Sequence, residues 1–593
     1  MTDTAHPSTP HTPNGADRTL PRTVRDTLPL ALDVAVEVAK LNGVCIRPIE
    51  LRRFDTHTGR TEPFDLPCGT TNEAKCPPCA QRNKQLRKAQ CREGWHLEAE
   101  PVAEPHPSTA DQRWLIEFRA DVQATRDAAE RDGDDVADWD EAIAGIDAEI
   151  NAAGMRGNVV GGRTAPRRSR STRRRQDAPN LPRRAKQDTT LGRTFVAPDG
   201  KVFRPSLFVT LTLPSYGKIR PGEGVPVDPS GYDYARAARD ALHFSKLVDR
   251  FVQNLRRVAG YDVQYFATVE PQKRFAPHLH MAIRGTLPRA EIKAIAAATY
   301  HQVWWPSVDE VRFEGDHLPV WTERDEQTEP YPDGQTGDYL DPTTGELLPT
   351  WREALNRLDA DETAEPLHVV RFGAQVDVQG VIAGSPDAHK RIGYLTKYLT
   401  KSLGDTLDLD QDDEGQGDED TPDPSVSAAR KVVNRARRDH AARLVEALRH
   451  EPCSPACANW LRYGVQPKGA KAGMTPGRCR SKAHKAEHLG YAGRRVLVSR
   501  KWSNKTLRDH KQDRRAWVLD MLGLPNEVET DPHRYLWQPV SSSDPARTPR
   551  ALRLLRGVAN RQRMRARLDE LRARADGRPL ADFSATPALG VAA

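Results

Sequence analysis

Long apolar runs are missing from this chain. No uninterrupted hydrophobic stretch approaches the roughly 18 residues needed to cross a bilayer, and residues 28–41 are interrupted by Asp33, Glu37 and Lys40. A membrane span is excluded, and without the apolar core of a secretory signal the expected compartment is a reducing cytoplasm. Aromatic residues make up only 6% and hydrophobic residues 37% of the 593 positions, and mean hydropathy is -0.69. That is too little to bury the whole length, so folded units, about four at ~150 residues each, must alternate with polar stretches. An excess of one charge is also lacking, with 89 Lys and Arg against 82 Asp and Glu. The charges are instead gathered in blocks, and the pI of 8.9 favours a polyanionic partner.

What is present divides the chain. Residues 1–24, rich in Thr, Pro and Asp, are expected as a disordered tail, and 25–110 as a Cys-rich zinc module. Residues 111–190 carry helical segments and then a basic linker with Arg167, Arg168, Arg170, Arg173, Arg174, Arg175, Arg183 and Arg184. A catalytic domain is expected over 191–404, interrupted by an acidic, Gly- and Pro-punctuated insertion at 306–366. An acidic linker (405–427), a Cys/His-bearing zinc and DNA-binding region (428–540) and a basic helical tail (541–593) complete the division. Within the catalytic domain, Ser206 to Leu213 is β-branched and apolar, as a buried strand requires. Ala241, Phe244, Val248, Phe251, Val252 and Leu255 recur at helical spacing and form a stripe able to cover a sheet. The predicted fold class is α+β, a central antiparallel sheet with helices on one face, flanked by two small zinc-stabilised modules and disordered linkers.

Two constellations carry chemistry. In the strand Pro277 to Arg284, His278 and His280 project from one face while Leu279 points to the other. If 263–270 and 277–284 form an antiparallel hairpin, Glu270 lies beside His278 and adds a carboxylate. Two nitrogens and an oxygen suit Mn²⁺ or Mg²⁺ acting as a Lewis acid on phosphate, and also tolerate Zn²⁺. The second constellation is Tyr394, Lys397, Tyr398 and Lys401, which share one arc of a helix beside Leu395 and Leu399. Tyrosine, with a pKa near 10, needs a neighbouring cation or metal before it serves as a nucleophile.

Together these motifs resemble the His-hydrophobic-His (HUH) endonuclease superfamily, and within it the rolling-circle replication initiators. Phe208 to Leu213 is similar to the first motif, a strand given a structural role. Glu270-Pro271 with Pro277-His278-Leu279-His280 is similar to the metal motif, and Tyr394 to Lys401 to the two-tyrosine motif. Cys453 to Cys457, Asn459 to Gly464, His488 to Tyr491 and Arg494 to Trp502 resemble the C-terminal part of actinobacterial plasmid initiators. The resemblance implies metal-dependent nicking of one DNA strand at a plasmid origin, a 5′-phosphotyrosyl intermediate and a 3′-OH primer; Tyr398 is favoured as first nucleophile, although the sequence does not rank it over Tyr394. It also implies host helicase and polymerase as partners. A two-tyrosine transposase or a relaxase is the alternative within the superfamily; a non-catalytic, zinc-dependent DNA-binding regulator is the alternative outside it.

Cys68, Cys76, Cys79 and Cys91 are expected to hold a structural Zn²⁺, with Cys45 and His96 as substitutes. Cys453, Cys457, Cys479 and His484 form a second candidate set, His488 being an alternative ligand. Lys501, Trp502, Lys505, Arg508, Arg514 and Arg515 interleave cations with an aromatic ring, as an origin-binding surface would. Gly464 to Lys471 misses the phosphate-loop spacing by one residue, so unwinding is left to the host helicase.

Overall fold

The computed structural model describes residues 32–101, 108–153, 155, 178, 180–192, 194–200, 202–324, 335–397, 399, 424–521, 523, 534–541, 544 and 547–575. The tail at 1–24, most of the basic linker, the acidic linker at 405–423, Tyr398 and Lys401 lie outside the described residues.

Five antiparallel strands form the central sheet: β1 (Pro205–Thr212), β2 (Tyr265–Pro271), β3 (Pro277–Arg284), β4 (Val376–Ile382) and β5 (Val496–Val498), in the spatial order β4-β1-β3-β2-β5. Alternation along β1 explains its two-sided burial. Leu207, Val209 and Leu211 enter one core and Phe208 another, while Thr210 and Thr212 share the face of Phe208. The first core is covered by the long helix Tyr234–Ala259, which follows α1 (Pro77–Trp95) in the chain and is termed α2. Its stripe of Phe244, Leu247, Val248, Phe251, Val252 and Leu255 is buried, each large side chain contributing about 1.5–3 kcal/mol. Asp233 caps its start by accepting a 2.9 Å hydrogen bond from the Arg236 amide. Gly260, at φ 73°, ends it in the left-handed conformation.

Helices cover both faces of the sheet, not one as the sequence led us to expect. On the second face lie α1 and α3 (Pro386–Lys397), which pack together with Phe208, Phe266 and Ala282 through Trp95, Ile392 and Leu395. The indole of Trp95 donates a 2.8 Å bond to Ser206 Oγ on β1, which in turn donates to the Val381 carbonyl of β4. The mean hydropathy of α1 is low because only one edge of it is apolar, so its stripe was not recognised in the sequence.

The flanking regions are not independent beads. A hairpin of Ile49–Asp55 and Thr61–Leu66 gains its third strand from Tyr535–Pro539, and the helix Leu32–Leu41 packs on Arg550–Ala575. Arg553, 2% exposed, ties this unit together through Asp65 at 2.6 Å, Glu50 at 3.4 Å and the Pro48 carbonyl at 2.7 Å. The insertion likewise packs on the second cysteine region: Val308 and Trp351 meet Cys457, Trp460 and Val465 in one core. Gln466 there accepts from Gln335 at 2.9 Å and donates to Asp338 at 3.1 Å.

Candidate active site

The strand pairing places the chemistry. Thr212 lies opposite His278 and Thr210 opposite His280 on one side of β3, with Glu270 opposite His278 on the other. All these side chains emerge on the face carrying α1 and α3. Thr212 Oγ1 is 2.7 Å from His278 Nδ1, and Thr210 Oγ1 is 3.1 Å from His280 Nδ1. Each imidazole is thus fixed through Nδ1, leaving Nε2 for another partner. His280 Nε2 faces the Tyr394 hydroxyl at 3.2 Å and Glu270 Oε2 at 3.9 Å. The two imidazoles stand nearly perpendicular with centroids 4.4 Å apart. Phe208 stacks on His280 at 5.9 Å and meets Tyr394 edge-on at 6.2 Å, walling one side.

Burial governs the electrostatics. His280, 5% exposed, is pushed down to about 3 by burial and then by His278. His278 is also lowered, by burial first and by Arg274 second. Both imidazoles are therefore neutral at physiological pH, the form that donates a lone pair. Glu270 is raised by burial, against the opposing pull of Arg495 and Lys397. Tyr394 is 42% exposed, so a substrate can reach its hydroxyl. Its neighbours Ala388, Ile392 and Leu395 anchor α3 in the second core and present Tyr394 at the rim.

Thr210 and Thr212 were not singled out from the sequence, where their strand was given a structural role alone. The signal was present in the period-two alternation of Leu207, Val209 and Leu211, which forces the threonines onto the histidine face once β1 and β3 pair.

Among the described residues, two groups bring four potential metal ligands within 4.8 Å of one another: Cys45, Cys68, Cys76 and Cys79, and Cys453, Cys457, Cys479 and His484. Each set could hold Zn²⁺, for which thiolate and imidazole are the preferred donors. Cys79 is lowered to about 4, chiefly by the hydrogen bond from Cys45, and Arg82 approaches its sulfur at 3.5 Å. In the second group Cys457 Sγ is 3.5 Å from His484 Nε2, while His484 Nδ1 lies 2.7 Å from the Leu448 carbonyl. Glu270, His278 and His280 are not gathered as tightly as either set.

Cys91 does not join the first set; Cys45 takes its place. The reason is helical rise: Cys79 and Cys91 sit on the same helix, which separates them by about 18 Å. Cys91 is instead fully buried beside Trp95 and Trp502, its thiol pushed up by burial. Trp502 is likewise no surface residue. It is 0% exposed, donates a 3.2 Å bond to the Cys91 carbonyl, and holds Arg284 over its ring at 5.4 Å. Of the other basic candidates, Lys505, Arg508, Arg514 and Arg515 are exposed and Lys501 is half-buried. Lys505 pairs with Asp513 at 2.7 Å.

No solved structure matches this chain. A replication initiator protein of Streptomyces ambofaciens is 26% identical over 308 residues, an alignment that covers 43% of this chain and 52% of that protein. The chain thus spans about half the length of this curated relative. A family profile described as replication initiator protein, pSAM2 (RepSA), matches residues 31–560, which is most of the sequence, and the chain belongs to that replication initiator family.

Proposed function

We propose that this protein initiates rolling-circle replication by nicking one strand at a plasmid origin, with Tyr394 as a nucleophile in an HUH-type site. The observation that carries this reading is the 3.2 Å approach of the Tyr394 hydroxyl to His280 Nε2, on the sheet face where Glu270 and His278 also emerge. Family membership supports an initiator over a transposase or relaxase.

The donor set fits a divalent cation. Two neutral imidazoles, oriented from behind by threonine hydroxyls, and one carboxylate within 3.9 Å of His280 leave open positions for phosphate oxygens. Mn²⁺ or Mg²⁺ held by these residues would polarise a non-bridging oxygen of the scissile phosphate. The remaining work belongs to the chain. The Tyr394 phenol gives up its proton to solvent, and its oxygen bonds to phosphorus. The P–O3′ bond breaks, and the departing oxygen takes up a proton as the free 3′-OH. Lys397, one turn along α3, favours the phenoxide and offsets charge building on the phosphate. The 5′-phosphotyrosyl ester conserves the bond for rejoining. Tyr398 and Lys401 follow in the chain and are proposed for a second transfer. The 3′-OH and the exposed strand are then taken over by a host polymerase and helicase.

The test is nicking of supercoiled origin DNA in Mn²⁺ by wild type, His278→Ala, Tyr394→Phe and Tyr398→Phe. Relaxed circles with protein on the 5′ end are expected from wild type, and neither product from His278→Ala. Tyr394→Phe should abolish the first adduct. Sequence-specific binding by wild type with no adduct at all would overturn the reading in favour of a non-catalytic regulator.

A further inference from the structure

The helix α1 separates two hollows. One, about 500 Å³, lies between α1 and α3 and is lined by Lys84 and Lys88 from the first and Lys390, Tyr394 and Lys397 from the second. The other, about 450 Å³, lies where α1 meets the helices Leu507–Met521 and Arg550–Ala575, and contains Arg82, Lys511, Arg514 and Arg561. Gln81 and Gln85 line both, so the two hollows flank the same turn of α1.

The charge in them is one-sided. Among the described residues, eight cations line the two hollows and no carboxylate does, in a chain whose basic and acidic residues number 89 and 82. The guanidinium of Arg561 is held below its usual range by burial and then by Arg565 and Arg82. The spacing is regular as well. Lys390, Tyr394 and Lys397 fall on one face of α3, and Lys84 and Lys88, one turn apart, on the facing side of α1. Like charges gathered on both sides of one helix lower their energy by binding a polyanion, and the glutamine amides between them can donate to and accept from base edges.

We infer that a path across α1 binds single-stranded DNA leading away from Tyr394, so that the cysteine-bearing helix is part of the strand-binding surface as well as a brace. The inference rests on the nicking reading, which puts the scissile phosphate at Tyr394. A single strand is favoured over a duplex because the path opens at a nucleophile that must reach one unpaired backbone.

The probe is a fluorescein-labelled oligothymidylate of about 20 nucleotides, bound to the full chain and followed by anisotropy across a salt series, with a duplex of equal length beside it. Lys84→Gln/Lys88→Gln should weaken oligothymidylate binding at least tenfold and reduce the slope of log K against log salt by about 1.4, the loss of two single-strand phosphate contacts. Lys84→Arg/Lys88→Arg should keep wild-type affinity, and the charge-matched Lys468→Gln/Lys471→Gln, exposed on the second cysteine module, should change little. Equal losses from both Gln pairs, or duplex binding with the same losses and no preference for the single strand, would overturn the inference. If wild type binds through Lys84 and Lys88 yet never forms an adduct with origin DNA, nicking fails and the path stands. If the adduct forms while Lys84→Gln/Lys88→Gln binds normally, the path fails and nicking stands.

Discussion

Thr212 Oγ1 lies 2.7 Å from Nδ1 of His278, and Thr210 Oγ1 stands in the same relation to His280, so two hydroxyls of the strand Pro205–Thr212 hold the histidine pair. A hydroxyl at that place fixes the ring plane and the nitrogen left open. Thr212→Val keeps the shape and removes the hydroxyl. It should raise the Mn²⁺ concentration needed for half-maximal nicking by about 10–100-fold, the usual cost of losing a partner behind a metal-binding histidine. Circular dichroism should be unchanged, whereas an unaltered Mn²⁺ requirement would deny the threonine this role.

The two cysteine groups predict a zinc inventory. Elemental analysis of the purified chain should give two equivalents per molecule, reflecting the two four-ligand sets. Cys45→Ser should lose one of them, and Cys91→Ala should lose none, because Cys91 sits in an apolar core. Retention of both equivalents in Cys45→Ser would return the fourth ligand to another residue.

Gly94 is pressed against the Trp502 indole, so that a Cβ placed there would lie 2.1 Å from the ring. Alanine normally favours a helix over glycine, by roughly 0.5–1 kcal/mol. Here the overlap with a fully buried ring should reverse the sign, and Gly94→Ala should destabilise by about 1–3 kcal/mol, read as a lower denaturation midpoint. A stabilised Gly94→Ala would mean that α1 and the Trp502 segment do not meet as described.

His440 gives a pH signature. It is 3% exposed, its Nδ1 lies 2.7 Å from the Tyr234 hydroxyl, its ring packs at 4.4 Å on Phe275, and burial lowers its pKa to about 4 from 6.5. Between those values the unfolded chain takes up a proton that the folded one refuses. The stability is therefore present above pH 6.5 and is lost as pH falls toward 4. His243 and His301, lowered to about 3 and about 4 by burial, add to the same slope. His440→Gln should flatten the stability curve over this range by up to one proton, about 1.4 kcal/mol per pH unit. An unchanged slope would place the acid sensitivity elsewhere.

Strand periodicity made the central sheet and its histidine pair legible, because alternation alone assigns each residue of 277–284 to a face. The hairpin that sets Glu270 opposite His278 followed from the short loop between the two strands. What escaped was long-range. Strand 496–498 pairs with β2 more than two hundred residues away, and nothing in its three residues names that partner. Trp502 sits among basic residues and reads as a surface ring; the packing of α1 on one side and of Phe266 and Arg284 from the sheet on the other buries it. The same holds for Cys91, which spacing grouped with the thiols and the helix carried off. Of the tyrosine motif, Tyr394 is placed beside His280, whereas Tyr398 lies outside the described residues.

The N-terminal hairpin is completed by strand 535–539 and its helix is covered by 550–575. During translation this unit must therefore wait, half-made, while the 468 residues between Leu66 and Tyr535 emerge from the ribosome. Until then Cys45, Cys76 and Cys79 lack Leu554 and Val558, with which they share a core. A chain that stops before residue 535 would thus hold every strand of the central sheet and both histidines, but would lack the third strand of the N-terminal hairpin and the helix that covers its core.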